Sequence, residues 1–159
     1  MTSGPTGDRL LLIGQAPSRT GDPSETLLGR IGLRLADLMG LSLDEYAART
    51  ERMNLFDCWP GKDGKGDRWD RAAARERTKE LRHLLEGRRV LFVGRNVADA
   101  FGFAGLPFLE WSSNDELQVD AACIPHPSGI VMWWNEPDNR AAAREFLHDV
   151  FESRTGGDR

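Results

Sequence analysis

Arg9-Leu10-Leu11-Leu12-Ile13-Gly14-Gln15-Ala16-Pro17 is the stretch that decides the fold. Four consecutive aliphatic residues leave no polar position for a solvated sheet face, so the run reads as a strand buried on both sides, as in a parallel sheet. Gly14 permits a tight exit from that strand, and Pro17 fixes the backbone just beyond Gln15, holding its amide at the strand tip. Outward from this strand, helical and strand patterns alternate. Leu28, Ile31, Gly32, Leu35, Leu38 and Met39 recur at helical spacing, with Gly40 as C-cap. A short helix over 43–49 leads to a strand at Met53-Asn54-Leu55-Phe56.

Residues 57–68 carry Pro60, Gly61, Gly64 and Gly66 with Lys62 and Lys65, and read as a flexible basic loop. A helix over 69–86 follows, its apolar side expected at Ala73, Leu81, Leu84 and Leu85. The run from Arg88 to Gly94 is the next strand, Asn96 to Phe101 a helix, 107–111 a short strand and Val119 to Ile124 the last clear strand. Asn135 is placed to cap the final helix, with Pro137 in its first turn and the pairs Ala142/Ala143, Phe146/Leu147 and Val150/Phe151 along it. Residues 154–159 read as a flexible polar tail. The expected fold is a single α/β domain over 1–159, a three-layer sandwich around a mostly parallel four-stranded sheet.

The 159 residues are 40% apolar and 29% charged, which fits a globular chain and excludes a disordered one. No apolar run approaches the roughly 20 residues of a membrane span, and the first residues lack the pattern of a signal peptide. The expected address is the cytoplasm, in association with the nucleoid, with no membrane partner. Two cysteines, Cys58 and Cys123, read as buried free thiols, and with three histidines they form no metal-ligand spacing, so neither metal nor other cofactor is expected. The net charge of −4 conceals an asymmetry: Lys62 to Arg95 holds eleven Lys/Arg against six Asp/Glu. A solvated helix face accounts for such a segment as readily as a polyanion-binding surface does.

In parallel α/β folds, ligands sit outside the carboxyl ends of the strands. Three of those ends carry unusual loops: Gly14-Gln15-Ala16-Pro17-Ser18, Asn54-Leu55-Phe56-Asp57-Cys58-Trp59-Pro60 and Pro125-His126-Pro127-Ser128-Gly129. Prolines on both sides of His126 fix the loop's shape and aim the imidazole.

Together these loops resemble the uracil-DNA glycosylase superfamily. Its first motif, a Gly-x-x-Pro loop, is similar to Gly14 through Pro17, and its last, of His-Pro-Ser type, to His126-Pro127-Ser128-Gly129. Asn54 through Cys58 to Pro60 resembles the Asn-led strand of the iron–sulfur branch, and Gly29-Arg30-Ile31-Gly32 the Gly-Arg-x-Gly of its second helix. The likeness runs from about Leu10 to Phe146. It implies a monomeric DNA-repair enzyme that flips a base out of DNA and hydrolyses its glycosidic bond. On the matching positions, Asn54 would read the base edge, with Ala16, Leu27 and Phe56 around it. His126 would stabilise charge on the departing base, and Gln15 would orient the water. Pro17, Ser18, Ser128, Gly129, Lys62 and Lys65 would hold the DNA backbone. Val131 or Met132 would fill the vacated stack, with Trp133 and Trp134 packing under the last helix as the plainer role for those rings.

Three departures bear on chemistry. The first loop offers Gln15 where fast members carry a carboxylate or Asn, which leaves Asp57 as the nearest carboxylate in sequence. Leu27 stands where the iron–sulfur branch stacks an aromatic, and the cluster cysteines are absent. Two rival functions follow: a DNA reader that binds a modified base without cutting, and an enzyme acting on free modified nucleotides.

Overall fold

The structure is a computed structural model that describes residues 9–17, 26–64, 66–127 and 131–156. Its centre is a mixed five-stranded sheet in the order β2-β1-β5-β7-β6, built from β1 (Leu10–Gly14), β2 (Thr50–Asn54), β5 (Arg89–Val93), β6 (Ser112–Asn114) and β7 (Val119–Ile124). The first four in spatial order run parallel; β6 closes the edge antiparallel to β7. The sheet therefore has five strands rather than four. The extra strand escaped the sequence pattern because Ser112-Ser113-Asn114 is polar and mostly exposed. The strand expected at 107–111 reduces to a single bridge between Phe108 and Cys123.

Side-chain alternation along the inner strands makes three layers. Leu10, Leu12, Leu91, Val93, Ala122 and Ile124 face α1 (Gly29–Met39), α2 (Leu43–Arg49) and α5 (Pro137–Gly156). Leu11, Ile13, Val90, Phe92, Ala121 and Cys123 face α3 (Arg71–Leu81) and α4 (Arg95–Ala100). Burial on both faces is what the unbroken aliphatic runs required. The edge strand β2 is only half-buried beyond Thr50, so Glu51 and Arg52 are tolerated within it; the strand lies at 50–54, earlier than the apolar Met53–Phe56 run suggests.

Other boundaries follow from local chemistry. Gly40 caps α1 in the left-handed region at φ 76°, and Ser42 with Glu45 forms a reciprocal capping box on α2. The 57–68 loop contains a two-residue hairpin, β3 (Lys62–Asp63) against β4 (Gly66–Asp67). α3 starts at Arg71 behind the Asp70 cap and gives way to a 3-10 turn at Arg82–Leu84. The buried face is Ala74, Thr78, Leu81 and Leu85, at helical spacing, while Ala73 and Leu84, expected on the apolar side, are exposed. A further 3-10 turn, Met132–Asn135, precedes α5, so Asn135 ends that turn and does not cap the helix. Residues 154–156 of the expected tail belong to α5. Cys123 is buried, but Cys58 is exposed, contrary to its reading as a buried thiol. Among the described residues no helix is long and apolar enough to cross a membrane.

Candidate functional site

The chain leaves β1 for α1 on one face of the sheet and leaves β5 for α4 on the other, so the winding reverses between these neighbouring strands. A reversal of this kind opens a crevice outside the carboxyl ends. Gln15, Asn54 and His126 all follow or end parallel strands at that one edge. With strands spaced about 4.8 Å apart, β1 and β7 lie about 10 Å apart, and β2 and β7 about 14 Å.

At the β1–β2 end the contacts are close. Gly14 is paired with Asn54, and the ladder extends past the strands: Leu55 N–H donates to the Gly14 carbonyl (2.8 Å) and Phe56 N–H to the Gln15 carbonyl (2.9 Å). A Cβ on Gly14 would stand 2.8 Å from Asn54 Oδ1 and 3.2 Å from a Leu27 methyl. The missing side chain is thus what admits the Asn54 amide and Leu27 beside the first loop. Gln15, Ala16, Pro17 and Asn54 are all half-buried, at the boundary between core and solvent.

Leu27 adopts the left-handed conformation at φ 54°, which costs a side-chain-bearing residue about 1–2 kcal/mol. Two features hold it there. Tyr46 Oη donates to its carbonyl at 2.8 Å, and Gly32 leaves room for that carbonyl, which would lie 2.8 Å from a Cβ at position 32. Tyr46 itself is buried, and burial raises its hydroxyl far above the usual phenol range, keeping it a neutral donor.

The His126 loop is held by its carbonyls. Trp134 Nε1–H donates to the His126 carbonyl at 2.9 Å, and Arg34, reaching from α1, donates from Nη1 to the Pro127 carbonyl at 2.8 Å. Pro125 and Pro127 are buried, and His126 between them is half-buried. The flanking prolines were legible in sequence; the two donors, one of them 93 positions away, were not.

The remaining candidates divide. Phe56 is half-buried against the α3–α4 side of the core, its ring edge-on to Trp69 at 6.0 Å. Val131 packs against the opposite core layer, whereas Met132 is 75% exposed immediately after the His126 loop. Trp133 and Trp134 pack edge-to-face at 4.8 Å, and Asn139 and Arg140 of α5 donate to their carbonyls. Lys62 is exposed on the hairpin. Ser18, Lys65, Ser128 and Gly129 lie outside the described residues.

The carboxylate nearest the site in sequence is committed elsewhere. Asp57 accepts from Arg77 Nη2 at 3.2 and 3.3 Å with its side chain 85% exposed, and Arg77 Nε also donates to the Leu55 carbonyl at 2.9 Å. Arg77 thereby fixes α3 to the end of β2. Cys123, under the β7 end, is no nucleophile: burial pushes its thiol up to about 11. Among the described residues no cluster of His, Cys, Asp or Glu is arranged to hold a metal ion.

No protein-family model matches the sequence, and no curated protein matches it. The chemistry is therefore read from the site itself.

Proposed function

We propose that this protein is a DNA glycosylase that excises uracil or a related modified base through a flipped-out intermediate. The supporting observation is the Gly14–Asn54 approach, in which a glycine at the end of β1 cedes its side-chain space to an amide at the end of β2. An amide carries both a donor and an acceptor, the complement of the imide edge of a pyrimidine. Extrusion of a base costs a few kcal/mol from a duplex and less from a single strand. Asn54 then binds the base edge from one side of the crevice while His126 approaches from the β7 side.

As the glycosidic bond lengthens, negative charge collects on the base carbonyl. A hydrogen bond from His126 to that oxygen strengthens as the charge grows, and placed donors of this kind are worth about 2.7–4 kcal/mol. Gln15 orients the water that attacks the sugar carbon; an amide does not take up the water's proton, so general-base assistance of about 10²–10⁴-fold is forgone. Met132 fills the gap left in the base stack.

The pairing of Asp57 with Arg77 favours a second reading, a DNA reader that binds the extruded base without cutting it, because it leaves the first loop without a carboxylate. One assay separates the two. Single-stranded and duplex oligonucleotides carrying uracil opposite G or A, hypoxanthine or hydroxymethyluracil are incubated with the protein and treated with alkali. Strand breakage at the modified base, lost in His126→Ala and Asn54→Ala, is the expected result. Base-dependent affinity without breakage establishes the reader, and neither property overturns both.

A further inference from the structure

The basic segment from Lys62 to Arg95 is not one surface. Lys79 pairs with Glu76 at 2.9 Å, Arg77 with Asp57 and Glu80, Arg82 approaches Glu116 at 4.0 Å, and Arg88 pairs with Glu51. Arg89 lies over the Trp111 ring and Arg95 over Phe108, with Arg95 also donating to the Leu106 carbonyl. Besides Lys62 on the hairpin, what remains among the described residues is a ridge of three exposed arginines, Arg68, Arg71 and Arg75, at and before the start of α3.

This ridge stands at the site. Arg77 is anchored level with Leu55, just past the end of β2, and α3 starts from the carboxyl edge and leads back towards β5. At 1.5 Å per residue, Arg71 lies about 9 Å further out along the helix, beyond the strand ends. Trp69, edge-on to Phe56, fastens the segment between Arg68 and Arg71 to the core.

The Asp70 carboxylate caps α3 by accepting from the Ala73 N–H, but the charges that follow it work against the helix. The first turn of α3 contains no acidic residue and begins with Arg71, at the positive end of the helix dipole. Arg71 and Arg75 stand four apart, where like charges repel. Local rules broken together on an exposed ridge beside a crevice mark a surface kept for a partner, and three guanidinium groups call for an anionic one.

Resting on the glycosylase reading, we propose that Arg68, Arg71 and Arg75 grip the phosphate backbone of the DNA strand whose base enters the crevice. The grip is independent of sequence and works by releasing counterions. Removing one arginine–phosphate pair lowers the slope of log affinity against log salt by about 0.9 on duplex and about 0.7 on a single strand.

The test is fluorescence anisotropy with unmodified 20-nucleotide single-stranded and duplex oligonucleotides over a salt series. Arg68→Gln, Arg71→Gln and Arg75→Gln are each expected to reduce the slope by that amount, and the triple variant by about 2–3. Lys79→Gln and Arg82→Gln, which alter paired cations, leave it unchanged. Thermal melting of the variants should not fall, since glutamine is nearly as good a helix former and the repulsion is relieved. A salt-dependent parent whose slope survives the triple substitution, or falls equally in the controls, overturns this proposal and leaves the glycosylase reading standing. A parent with no salt-dependent affinity for either DNA overturns both.

Discussion

Gly14→Ala is the perturbation that asks most of the site with the least disturbance elsewhere. The added methyl carbon would stand 2.8 Å from Asn54 Oδ1 and 3.2 Å from Leu27 Cδ2. Comfortable heavy-atom contact begins at about 3.5 Å, so the amide must retreat by roughly 0.7 Å. Catalytic geometry is lost beyond about 0.5 Å. The backbone of Gly14 is an ordinary strand conformation, so alanine is not strained there. Alanine also reduces the entropy of the unfolded chain by about 0.4–1 kcal/mol, which offsets part of an overpacking cost of about 1–3 kcal/mol. The atom that must move is the far end of a side chain, which puts the cost at the low end. Melting is therefore expected to fall by no more than a few degrees. Base excision, measured in single turnovers on a uracil-containing single strand, is expected to drop by about 10²-fold, the usual loss when one placed donor is misaligned. Parent-like excision by a folded Gly14→Ala would refute the role given to Asn54, and a variant that unfolds would refute the packing estimate.

Trp134→Phe removes the donor to the His126 carbonyl; it should cost about 1 kcal/mol of stability and lower kcat by about 10- to 100-fold with KM little changed, read from steady-state kinetics and a urea melt. Arg34→Met should act in the same direction through the Pro127 carbonyl, and protection of residues 125–134 against hydrogen exchange should fall in both variants. The two thiols should differ in reactivity: at pH 8 a disulfide reagent titrates Cys58 in the folded protein and both thiols only after denaturation. Because the Cys123 pKa is raised by folding from 9.0 to about 11, its contribution is fully present below pH 9 and is lost as the pH climbs towards 11. About 2–3 kcal/mol of stability should disappear across that window, and Cys123→Ala should flatten the decline.

The parts of the fold legible in the sequence are those where burial dictates composition. Leu10–Ile13, Val90–Val93 and Ala121–Ile124 are apolar because both faces of those strands are covered, and α1 shows a clean helical period ending at Gly40. The edges were not legible. β2 and β6 border the sheet, keep polar residues, and differ little in composition from loops. The same contrast holds at the site. Gly14, Gln15, Asn54 and His126 stand out as residues at strand ends, because the loop chemistry is local. The left-handed Leu27, the Asp57–Arg77 pair and the carbonyl donors Arg34 and Trp134 depend on contacts between distant segments. The arginine ridge had a local signal, cations in the wrong turn of a helix, visible only once the start of α3 is fixed at Arg71.

The most direct measurement is a crystal structure with a single-stranded oligonucleotide bearing an uncleavable uracil analogue. The account predicts the base between β2 and β7, its imide edge on the Asn54 amide and a carbonyl within hydrogen-bond distance of the His126 ring. A base seated away from that crevice, or Asn54 and His126 turned to separate walls with no ligand in common, would contradict it.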